Sequence, residues 1–120
     1  MTMIWVLRVV FLLQVLVGLS LSRGLLGARP LGVASGEGDI HMLLGLIAAI
    51  LTLVAIRPNG ADGFGWLARL FPLVPLALGL AIRFAGAGSL PIVSLHIVVG
   101  IATIGLVEMT FARARRMATA

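Results

Sequence analysis

The stretch LPIVSLHIVVGIATIGLVEMTF, residues 90–111, is an apolar run whose only ionisable side chains are His96 and Glu108. At a rise of ~1.5 Å per residue, a helix of this length crosses the ~30 Å hydrocarbon layer of a bilayer. Three further runs of the same character cover residues 3–22, 40–56 and 66–84, with Pro30, Pro58 and Pro91 in or beside the connections. The second run is short, and the first residues of its flanking loop extend it. The fold class that follows is all-α integral membrane: an up-down-up-down four-helix transmembrane bundle, occupying residues 1–120 as a single domain, with antiparallel neighbours joined by short connections.

Composition supports this. Hydrophobic residues make up 61% of the chain and charged residues 11%, and the mean hydropathy is +1.20. A soluble domain of this size leaves much of its surface in water and needs a polar exterior, so the surroundings of this chain are a lipid bilayer. The net charge of +5 comes from nine arginines against four acids. The arginines sit at the ends of runs instead of forming a basic face, which excludes nucleic acid as a partner.

The absence of cysteine excludes disulfides, iron–sulfur clusters, thiolate-ligated haem and cysteine zinc sites. No Ser/His/Asp set, phosphate-binding glycine loop or carboxylate pair is present in a plausible arrangement, and Gly60 and Gly63 read as turn glycines. Hydrolase and nucleotide chemistry are set aside, and no catalytic residue is assigned. The first run has the length of a secretory signal. Arg8 lies inside it, however, and no small-x-small cleavage site follows convincingly, so it is expected to be retained.

Arginine placement orients the bundle, because short loops rich in Arg stay cytoplasmic. Arg8, Arg57, Arg69, Arg113, Arg115 and Arg116 fall on one side, with Trp5 and Trp66 marking its interface. Arg23, Arg29 and Arg83 fall on the other, partly offset by Glu37 and Asp39. Both termini are therefore expected in the cytoplasm, the membrane being the inner membrane of a prokaryotic cell. Helices 2 and 4 then run in parallel from outside to inside.

The chain has two histidines, His41 and His96, each near the outer end of one of these parallel helices. Ionisable residues within membranes usually face a bundle interior or a site, and imidazole ligates haem iron. Two at one depth point to a shared ligand, one bis-histidine haem b per bundle, with His41 and His96 as axial ligands of the iron. Both begin the pattern His, three apolar residues, Gly, ending at Gly45 and Gly100. Residues four apart share a helix face, so each glycine clears room where a flat macrocycle lies against the backbone. Close helix packing is the plainer use of such glycines.

The two halves also share Gly-Leu at Gly18 and Gly79, each followed shortly by arginine, which hints at two related helical hairpins. Arg23, Arg29 and Arg83 lie at the level of the histidines, where guanidinium groups bind haem propionates or lipid headgroups. Gln14, in the middle of its helix, is placed to hydrogen-bond across the bundle or to contact haem or a quinone. Glu108 lies about 18 Å along the helix from His96 at the standard rise, too far to touch a haem there. Its expected partner is Arg8, Arg57 or Arg69.

Three stretches, Leu12-Leu-Gln-Val-Leu-Val-Gly18, His41-Met-Leu-Leu and Leu90-Pro-Ile-Val-Ser-Leu-His96, together resemble one four-helix half of the heme A synthase family. The resemblance implies haem ligation by His41 and His96 near the outer face. The family usually carries an acid three positions before the first of these histidines and an arginine directly after it. Here those positions are Gly38 and Met42, and the outer-loop cysteines of many members are missing too. The expected function is thus a b-type, heme A synthase-like cytochrome carrying electrons near the outer face, from a quinol or to a redox protein partner. The alternatives are a half-size heme A synthase-type oxidoreductase acting as a homodimer, and a cofactor-free accessory subunit of a larger membrane complex.

Overall fold

The computed structural model describes residues 2–21 and 36–119, all of whose regular structure is helical. In chain order α1 spans Thr2–Leu21, α2 Gly36–Ala55, α3 Gly63–Leu70, α4 Leu73–Phe84 and α5 Leu90–Ala118. Four segments are long and apolar enough to cross a membrane: Met3–Leu21, Gly36–Ala55, Gly63–Phe84 (α3 and α4 together) and Leu90–Ala118. Between 11% and 17% of each span is buried within the protein, so few of its apolar side chains are enclosed by it, as expected where the solvent is lipid.

The boundaries differ from the apolar runs for identifiable reasons. α2 begins at Gly36, because Glu37 and Asp39 sit in its first turn, where the helix dipole favours negative charge. α5 continues to Ala118, well past Phe111. Its added turns are rich in Ala and Arg, strong helix formers, with Arg115 and Arg116 at the end that favours cations. The third run is one span but two helices. Pro72 and Pro75 have no N–H to donate to the carbonyls four residues earlier, and Val74 N–H turns instead to Phe71 O at 3.0 Å. Just beyond the end of α4 stands Gly86, whose φ of 67° lies in the left-handed region open to glycine.

α1 packs chiefly on α2, and α4 on α5; α2 also meets α4, and α3 meets α5. The core lies towards the arginine-rich end and consists of Leu7, Phe11, Ala48, Ile56, Ala68 and Val107. Buried hydroxyls are satisfied within their own helices. Thr52 Oγ1 donates to Ala48 O at 2.7 Å and Thr103 Oγ1 to Val99 O at 2.8 Å. Ala68 has no exposed surface where α3 lies in the core. Ala68→Leu is expected to overpack this contact and destabilise the fold by about 1–3 kcal/mol, read from denaturation in mild detergent.

Burial brings out an internal repeat wider than its glycines. With Gly18 aligned on Gly79, Trp5 matches Trp66, Arg8 matches Arg69, and two buried pairs coincide, Leu7 with Ala68 and Phe11 with Pro72. With His41 aligned on His96, Ala48 matches Thr103 and Thr52 matches Val107, all four buried. Arg8 stands over the Trp5 ring at 4.9 Å and Arg69 over the Trp66 ring at 5.3 Å, so the likeness reaches side-chain geometry.

Candidate functional site

α2 and α5 bring His41 and His96 together. The ring centroids are 5.9 Å apart and the ring planes are inclined at 72°. Each ring rests on a glycine of the helix beside it. A methyl group at Gly18 of α1 would stand 2.9 Å from His41 Cε1, and one at Gly79 of α4 would stand 3.1 Å from His96 Cε1. The glycines at equivalent positions of the two halves are therefore the seats of the two imidazoles.

The glycines four residues after the histidines have other surroundings. A Cβ at Gly45 would meet Gln14 Nε2 at 3.0 Å, while one at Gly100 would meet open space. The difference traces to one position of the repeat. Gln14 lies across Gly45 and brings its Nε2 to 3.4 Å from His41 Nε2. Its counterpart in the second half is Pro75, which has no side chain of that reach; the backbone at both positions lies against its histidine. The two imidazoles thus have similar seats and equivalent backbone neighbours, and His41 has the Gln14 side chain besides.

Arg83 is already engaged. Its Nη2 and Nε donate to Asp39 Oδ1 at 2.7 and 3.1 Å, tying the end of α4 to the start of α2. Arg23 and Arg29 lie outside the described residues. Glu108 is far from the histidines, as expected, and accepts two hydrogen bonds of 2.7 Å from Arg8, the first of the three arginines its position suggested.

A haem implied by the family resemblance can be tested against these residues. His41 and His96 would hold its iron between them: two imidazoles sharing one metal ion through bonds of about 2 Å could have ring centres roughly 6 Å apart, close to the 5.9 Å seen here. Nδ1 of His41 and Nδ1 of His96 are both buried without a hydrogen-bond partner. Buried polar atoms are ordinarily satisfied, so each ring keeps a nitrogen free for a ligand. Among the described residues no three His, Asp or Glu side chains converge as a bare metal ion would need. A haem iron asks for fewer, since the macrocycle fills its equatorial positions, and the pair of imidazoles fits it.

Gly18 and Gly79 stand out in the sequence as landmarks of the repeat, but their contact with the rings arises between helices. Gln14 stands out there only as a polar residue in an apolar run. Trp5/Arg8 and Trp66/Arg69, the same pair of residue types at the same spacing, carry the repeat in the amino-acid sequence itself. Comparison with known protein families, with curated proteins and with solved structures finds no match for the chain.

Proposed function

We propose that the protein is a b-type membrane cytochrome that holds one haem b per bundle between His41 and His96 and passes single electrons. The observation that carries this reading is the facing pair of imidazoles at 5.9 Å, each seated on a glycine of the adjoining helix. Bound there, haem supplies one-electron exchange, with a potential set by its axial ligands, its burial and the hydrogen bonds around it.

The chain's own residues do the positioning. Gly18 and Gly79 let each ring approach the neighbouring backbone. Gln14 restrains the His41 ring by its contact at 3.4 Å. Arg83, steadied by Asp39, offers a cation at the same end of the bundle for the propionates, with Arg23 and Arg29 as further candidates. In this reading the bundle is up-down-up-down, its termini lie in the cytoplasm of a prokaryotic cell, and the histidines lie near the outer face. The donor or acceptor is a quinol or a redox protein, met by a single copy, a homodimer or a larger membrane complex.

The reading stops at electron transfer, because Gly38 and Met42 stand where the resembled family carries an acid and an arginine. The test is the oxidised-minus-reduced spectrum of protein purified after expression with haem supplied. Wild type is expected to show sharp reduced bands, and His41→Ala and His96→Ala are each expected to lose them. Undiminished haem in both variants overturns the proposal.

A further inference from the structure

The internal repeat is broken at one charged position. Arg8 makes its two hydrogen bonds to Glu108, and Arg69 occupies the same place in the second half. The residue in register with Glu108, however, is Leu53. Arg69 keeps its place over Trp66, but its Nε is buried without a hydrogen-bond partner, and it enters none of the ion pairs among the described residues.

The chain has no side-chain acid left to offer it. Of the four acids, Glu108 holds Arg8. Asp62 caps α3 by accepting from Gly65 N–H at 3.0 Å and lies 3.9 Å from Arg113. Asp39 holds Arg83, and Glu37 accepts from Ser20 Oγ at 3.4 Å, both at the end of the bundle that carries the histidines. A guanidinium stays charged in a protein, and an uncompensated charge within a membrane span is costly. A counter-anion for Arg69 is therefore one that the chain's own carboxylate side chains do not supply.

We propose that Arg69 binds the phosphate of an anionic phospholipid, which takes the place of the missing carboxylate. The planar guanidinium fork matches phosphate oxygens as well as it matches a carboxylate. Trp66, exposed beside it, is the residue type that settles at headgroup level. The same end carries Arg57, Arg113, Arg115 and Arg116, a surplus of positive charge that concentrates anionic lipid around it. A lipid also reaches this depth without any partner having to assemble. The site is independent of the histidine pair and of any haem.

Native mass spectrometry of the full chain released from nanodiscs of mixed phosphatidylglycerol and phosphatidylcholine tests this. Wild type is expected to retain one phosphatidylglycerol, and Arg69→Leu is expected to weaken that retention about tenfold, the scale of one charge-assisted contact. Leu53→Glu provides the second reading, since it keeps the arginine but supplies the carboxylate found in the other half. It is expected to displace the lipid to a similar extent, and it keeps the proposal testable if Arg69→Leu fails to fold. Equal retention by wild type and Leu53→Glu overturns the proposal. So does inorganic phosphate binding as tightly to protein in phosphatidylcholine alone, which would make this a free-anion site. Unchanged lipid with an altered oligomeric mass in Arg69→Leu would assign the arginine to a carboxylate of a second copy, and overturns it too.

Discussion

Gly18→Leu, and separately Gly79→Leu, is expected to abolish the reduced-haem bands of the purified protein while leaving it helical and membrane-inserted. The first atom of a new side chain at these positions already falls 2.9 Å and 3.1 Å from a histidine Cε1, inside ordinary contact distance. What must give is an imidazole ring, a stiff group with two torsions, packed between helices. The overpacking costs about 1–3 kcal/mol if the ring stays and misplaces a ligand nitrogen if it moves. The remaining glycines calibrate the effect. Gly45→Ala meets chiefly the tip of the Gln14 side chain and Gly100→Ala meets no protein atom within 4 Å, so neither is expected to displace a histidine ring. Loss of haem at Gly100 with retention at Gly18 would reverse the assignment of seats. Circular dichroism on the same samples separates displacement of a ring from failure to fold.

The second large effect is expected at Glu108. Its carboxylate forms a two-pronged pair with Arg8, linking the first span to the last, and the two side chains are each 34% exposed. Glu108→Ala strands a permanent cation inside a span and is expected to lower the thermal midpoint in mild detergent substantially. Asp39→Asn removes the other two-pronged pair, but Asp39 is 57% exposed at the end of its helix, where water screens what remains. The smaller loss is expected there. The reversed pair, Arg8→Glu with Glu108→Arg, is expected to recover much of the stability lost by either single change. Equal midpoints for wild type and Glu108→Ala would show that the pair contributes no net stability.

The spans were legible because lipid imposes a rule that composition cannot evade: backbone polar groups must be satisfied internally over about 20 residues, so the apolar runs announce themselves. The break at Phe71 and Pro72 was less visible. Hydropathy counts proline as one more tolerated residue and does not register a missing N–H. The early start of α2 was concealed by Glu37 and Asp39, which look like loop residues until the helix dipole is considered. The histidines could be paired by depth alone. Their seats could not, since spacing along one helix selects Gly45 and Gly100, whereas the glycines that touch the rings do so from α1 to α2 and from α4 to α5. Arg69 shows the same limit: its lack of a carboxylate partner among the described residues is apparent only beside the satisfied Arg8.

Each imidazole is seated by a glycine within its own pair of helices, yet the facing arrangement belongs to neither pair alone. Anything grasped by both rings therefore binds only the docked state and shifts the docking equilibrium by mass action. At a concentration a hundredfold above its Kd, such a ligand adds about 2.7 kcal/mol to the association of the two halves. That is comparable to the contribution of a structural disulfide, in a chain that has no cysteine to make one.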